Sequence, residues 1–258
     1  MEEARKCNKV KALYFRLGTN QAAMGTRNIC LEYAHITRLF TQIFPHLAAE
    51  QTHYRITSPD NAAYSITCAI MACFEVNGDD PNNLVTIYFG NGGDPVFGSL
   101  TQALPLMMLD IIVDKLANCF IILENCFDNG DEHRPLNLAG LNDFNQIDGS
   151  NIVQILSLWQ TNPALNLQRP SIVKPIAEAI AEQAEPMITD ADDLFRTVKD
   201  QWVTARDRAR ILFNTEVVGA GEVDNMKVLE QTEPEMTWLR GEGKNIAFQM
   251  NNLQRRMG

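Results

Sequence analysis

The chain has 258 residues, 45% hydrophobic and 21% charged, which is enough apolar material for a substantial core and argues against a disordered chain. The formal charge is −10, and the six cysteines form no CxxC pair, with no leader pattern over residues 1–11; these features point away from a disulfide scaffold, a zinc ribbon and secretion. The longest apolar run, residues 104–123, contains Asp110, Asp114 and Lys115, whose charges exclude a membrane span.

Charge is unevenly distributed. Residues 1–40 carry seven Lys/Arg against three acids, residues 41–200 seven against 21, and residues 201–258 eight of each. An acidic middle opposes the coating of a polyanion over the whole surface, because like-charge repulsion works against counterion release. The basic head, with Arg5, Lys6, Lys9 and Lys11, can instead dock on the acidic body of a neighbouring copy or contact RNA phosphates locally. The chain has 22 Asn and 14 Arg but only eight Lys, beside 10 Met and 12 Phe. Scarce Lys with abundant Arg, Met and aromatics is the bias of surfaces that become interfaces.

In chain order, residues 28–44 place Ile29, Tyr33, Ile36, Phe40 and Phe44 at helical spacing, and Pro45 stops that helix. Residues 52–57 suit a strand. Ser58-Pro59 opens a helix over 60–76, and Asn77-Gly78 closes it; on it Cys68 and Cys73 fall on different faces and serve packing. Residues 84–89 are the best strand, pairing with 52–57 as a hairpin or two-stranded ribbon. The Gly-rich residues 90–95 lack a Lys-Ser/Thr pair at the phosphate-loop spacing and carry Asp94, so they read as a turn.

Residues 99–127 read as a central core helix on which Cys119 and Cys126 share a face as packing thiols. Residues 128–133 superficially suit calcium, but the third ligand position of such a loop would be Phe127, which has no donor oxygen. Residues 150–160 read as a short helix with Ile152, Ile155, Leu156 and Trp159 on one side. Thr189 and Asp192 stand at capping-box spacing before a helix to about residue 213. Leu194, Val198 and Trp202 lead its apolar stripe, and Arg206 and Arg210 belong to an adjoining basic strip. Residues 222–230 and 234–257 read as a last helical pair. The glycines Gly241 and Gly243 would loosen an arm whose Ile246, Phe248, Met250 and Leu253 dock on a neighbour or on the chain's own body.

No GxSxG, HExxH, Walker or GxGxxG motif occurs, and the four histidines show no ligand spacing, so no catalytic residue, metal or cofactor is assigned and enzymatic function is disfavoured. The expectation is a mainly α, two-lobed helical protein with a minor β-hairpin or short β element. Its parts would be an N-terminal lobe over 1–130, a linker or cleft loop over 131–150 and a C-terminal lobe over 151–258. The expected function is that of a structural, self-assembling homo-oligomer subunit of viral coat or nucleocapsid type. It would lie in the cytoplasm or virion, with copies of itself and RNA as partners through Arg5, Lys6, Lys9, Lys11, Arg206 and Arg210. The alternatives are an enzyme or small-ligand binder with an interlobe cleft, or an acidic adaptor. A ligand-induced gain in stability would favour the second class over the first.

Overall fold

A computed structural model describes residues 9–17, 37, 41, 50–91, 107–126 except 109 and 113, 151–160, 188–215, and 233–248 except 242. Within them the chain forms β1 (Lys9–Leu17), β2 (Gln51–Ile56), α1 (Ala62–Asn77), β3 (Asn83–Asn91), β4 (Asn118–Cys126), β5 (Val153–Gln160), α2 (Ala191–Thr215) and β6 (Glu235–Arg240). The strands make one six-stranded sheet in the order β2-β1-β3-β4-β5-β6. All neighbours are parallel except β5 and β6, which are antiparallel with a register shift at Val153/Gln154.

This α/β architecture corrects the mainly α, two-lobed expectation. The segments read as a core helix over 99–127 and a short helix over 150–160 contain β4 and β5, and the expected helix over 234–257 contains β6, while 222–230 lies outside the described residues. β4 and β5, from the two sides of the 131–150 stretch, are adjacent and in continuous register from Cys119↔Val153 to Cys126↔Gln160. The strands over 52–57 and 84–89 exist as β2 and β3, but they do not pair with each other. Unrecognised β1 lies between them, hydrogen-bonded to both.

Successive side chains of each strand alternate between two cores. On one face Leu13, Phe15, Val85, Ile87, Phe89, Ile121 and Ile155 pack under α1 through Ile66, Ile70 and Phe74. On the other, Val10, Tyr14, Tyr88, Phe120 and Ile122 pack against Leu194, Val198 and Trp202 of α2. Strands covered on both faces read as near-continuous apolar runs, which removes the alternation that would distinguish them from a buried helix.

α1 begins at Ala62 with Asn61 as its flanking residue, two positions later than the Ser58-Pro59 punctuation suggested, and it ends where Gly78 N–H donates to Phe74 O at 2.8 Å. Cys68 is exposed and Cys73 buried, so they take different faces as their spacing requires, but only Cys73 has the packing role expected of both. At α2, Asp190 rather than Thr189 accepts from the first turn: Asp193 N–H donates to Asp190 Oδ1 at 2.8 Å, while Thr189 Oγ1 donates to Asp193 Oδ2 at 2.6 Å. Leu194, Val198 and Trp202 are buried along α2 as the apolar stripe required.

After β6 the chain turns at Gly241, whose φ of 74° suits glycine, and runs back over the sheet. Ile246 N–H donates to Gln154 Oε1, Phe248 N–H donates to Thr189 O, and Ala191 N–H donates to Ile246 O. Ile246 and Phe248 are buried in the chain's own core, where the Phe248 ring meets Phe120 edge-on at 5.4 Å. Of the two dockings expected for this segment, Ile246 and Phe248 make the one on the chain's own body. Met250 and Leu253 lie outside the described residues. No helix among the described residues is long and apolar enough to cross a membrane.

Candidate functional site

In an open parallel sheet the loops leave the carboxyl ends of the strands, and a crevice opens where two neighbouring strands send their connections opposite ways. Here that point lies between β1 and β3. β2 is added on one side of β1, whereas β3, β4 and β5 are added on the other. Toward this rim the rows run Arg55↔Arg16↔Gly90↔Glu124↔Leu158, then Ile56↔Leu17↔Asn91↔Asn125↔Trp159, with Cys126↔Gln160 one residue further between β4 and β5.

The β1–β2 half of the rim is built from a repeated sequence. Tyr14-Phe15-Arg16-Leu17 faces His53-Tyr54-Arg55-Ile56 residue for residue in parallel register. Matching side chains therefore lie abreast. Tyr14 and His53 stack at 4.8 Å, and Phe15 stacks on Tyr54 at 4.9 Å and on Phe89 of β3 at 5.1 Å. Arg16 and Arg55 come next along the same face as Tyr14 and His53, with Arg16 half-buried and Arg55 exposed. Burial pushes the Tyr14 phenol well above its ordinary range and holds the His53 imidazole below its own.

Beside Arg16 in the row is Gly90. A Cβ there would lie 2.7 Å from Tyr88 Oη, so the absent side chain lets the Tyr88 phenol extend along β3 toward the carboxyl end. Glycine is required here by this close approach and not by a left-handed backbone. Arg16, Arg55 and the Tyr88 hydroxyl thus bring hydrogen-bond donors to three adjoining strand ends.

β4 leaves the sheet at Cys126, one residue beyond Asn125, the register partner of Asn91. The expected helical face shared by Cys119 and Cys126 does not exist, because both residues belong to a strand. Cys119 is fully buried and Cys73 nearly so; burial raises both thiol pKa values, leaving them as packing groups. His53 is the one histidine among the described residues. Three strand spacings of about 4.8 Å separate its strand from β4. No group of three His, Cys, Asp or Glu among the described residues could hold a metal.

The residues singled out from sequence scatter. Arg5 and Lys6 lie outside the described residues. Lys9 starts β1, with its Nζ 3.8 Å from Glu50, and Lys11 follows at the same amino end, far from the rim. Arg206 and Arg210 are on α2, on the sheet's other side from α1. The Gly-rich, calcium-like and 131–150 stretches fall outside the described residues beyond Asn91 and Cys126. Arg16 and Arg55 carry no sequence motif beyond a doubled aromatic-aromatic-Arg-aliphatic pattern, which parallel register brings abreast.

A scan against protein-family models finds no match, and a search of curated proteins finds no relative. The sheet-rich fold contradicts the mainly α description.

Proposed function

We propose that the protein binds a small ligand or substrate in the crevice at the carboxyl rim of its sheet, between β1 and β3. The observation that carries this reading is the strand order itself, which puts a topological switch point at Leu17↔Asn91. The warrant is the general habit of open α/β sheets, an argument by fold analogy that says where a ligand sits and leaves its identity to the side chains. It supports the small-ligand-binding alternative raised by the sequence.

The test is a thermal-shift screen of the full chain with nucleotides, sugars, amino acids and organic acids, followed by amide hydrogen exchange with each hit. A saturating ligand at 100 times its Kd adds about 2.7 kcal/mol to stability. Protection concentrated at residues 16–17, 90–91 and 124–126 supports the rim; protection elsewhere, or no stabilising ligand, overturns it.

A further inference from the structure

We propose that the outer face of α1 is a docking surface for the α1 of a second copy of this chain, packed antiparallel. This inference stands apart from the rim reading. Among the described residues the exposed large hydrophobic side chains are Tyr64, Met71, Val76 and Leu116. Three belong to α1, and the N–H of Leu116 donates to Gly78 O where that helix ends, so all four lie on or beside one element. A helix that packs one face on a sheet ordinarily turns charge to water on the other. α1 carries Glu75 as its single charged residue, with no Lys or Arg.

Tyr64, Cys68, Met71 and Glu75 are all exposed, and at helical spacing they fall within an arc of about 60° on the side away from buried Ile66, Ile70 and Cys73. The four positions are symmetric about the midpoint of α1, between Ala69 and Ile70. A second α1 related by a two-fold axis there sets Tyr64 against the copy's Glu75 and Cys68 against the copy's Met71. The face is then complementary to itself: a phenol meets a carboxylate and a thiol meets a thioether. The Tyr64 hydroxyl already neighbours the Cys68 thiol, so the gain comes from burying the ring and the thioether and not from an unmet donor. Self-complementarity is what an isologous interface requires, and it selects a second copy over an unrelated partner. A lipid surface is disfavoured, because interfacial helices are rich in the Lys and Arg that α1 lacks. The 16 residues of α1 make a face about 24 Å long. That is less than the roughly 800 Å² per partner of a stable complex, so the pair is weak, with a dissociation constant on the order of 100 µM.

The test is sedimentation velocity of the full chain, with thiols kept reduced, from about 1 µM to about 1 mM. The chain should pass from monomer to dimer across this range. Tyr64→Glu and Met71→Glu should each weaken association about tenfold or more, by placing a carboxylate in the apolar centre of the pair. Tyr64→Ser, a neutral truncation, should weaken it in the same direction and decides the matter if a glutamate variant fails to fold. Thr204→Glu, at an exposed position on α2, should associate as the parent chain does. Added NaCl should strengthen the dimer, because each copy carries a net charge of −10 whose repulsion salt screens. Docking of the basic amino-terminal segment on a neighbour's acidic body would instead weaken with salt. A chain that stays monomeric throughout, a dimer that salt dissociates, or a dimer unmoved by the α1 variants overturns the assignment.

Discussion

The Tyr14 and His53 rings stack at 4.8 Å with only 14° between their planes, because parallel β1 and β2 place them directly opposite. The stack holds the imidazole on an edge strand where desolvation lowers its pKa below the ordinary value of 6.5. A depressed histidine stabilises the fold in its neutral form. The unfolded chain takes up its proton first as pH falls, so stability is full above the ordinary histidine value and declines through the window down to the folded value. Urea denaturation between about pH 8 and pH 5 should show this decline, and His53→Gln should flatten it. An unchanged slope in the variant would mean that His53 does not supply it.

Phe15 sits between Tyr54 and Phe89 as the middle ring of three. It is fully buried, so truncation leaves a cavity that two neighbours on separate strands border. Phe15→Ala should cost about 3–5 kcal/mol in denaturant midpoint analysis at unchanged m. Tyr64→Ser, at an exposed position on α1, should stay within about 0.5 kcal/mol. Similar losses in both would show that the three-ring stack is not a centre of stability.

How much of this molecule is readable without coordinates follows from where its pattern is one-sided. α2 has one buried stripe, Leu194, Val198 and Trp202, and a cap, so its period and its start were visible to within a residue or two. α1 was marked by turn residues at both ends. β4 and β5 show no such period: Cys119, Ile121 and Leu123 fill one core while Phe120 and Ile122 fill the other, and a run apolar at every position fits a buried helix equally well. β1 was hidden by Lys9, Lys11 and Arg16, charges that an amino end and a carboxyl rim can solvate. Once β1 is missed, β2 and β3 appear to need each other. The rim cannot then be located, because Arg16 and Arg55 become neighbours only through strand order.

α2 starts on a reciprocal pair of caps. Asp190 Oδ1 accepts from Asp193 N–H at 2.8 Å, and Asp193 Oδ2 accepts from both the backbone N–H and the hydroxyl of Thr189. Asp190→Ala should cost about 1 kcal/mol. Asp192→Ala should cost less, because Asp192 takes no part in these caps. Equal stabilities of the two variants in thermal or urea unfolding would reject Asp190 as the cap.

Arg240 ends β6 in a buried position, where Nη1 donates to Asn151 Oδ1 at 2.6 Å. The Asn151 amide in turn donates to the carbonyls of Ile112 and Ala117 at 3.3 and 3.2 Å. One side chain therefore joins β6 to the segment entering β4. Asn151→Leu removes all three of these bonds, so it should cost about 2–3 kcal/mol in urea denaturation. A loss below about 1 kcal/mol would show that Asn151 does not tie β6 to the segment entering β4.

Gly90 offers a test of how tightly the rim is built. A methyl group there would lie 2.7 Å from Tyr88 Oη and 2.9 Å from Tyr88 Cε1, both below normal contact, so the ring itself must move and not only its hydroxyl. Gly90→Ala should therefore destabilise by about 1–3 kcal/mol, and adding Tyr88→Phe should not repair it because the ring carbon still collides. Adding Tyr88→Leu should recover part of the loss by removing the ring. Denaturation of the parent chain, Gly90→Ala, Tyr88→Leu and the double variant gives the coupling between the positions; additive effects would show that Tyr88 does not occupy the space Gly90 leaves.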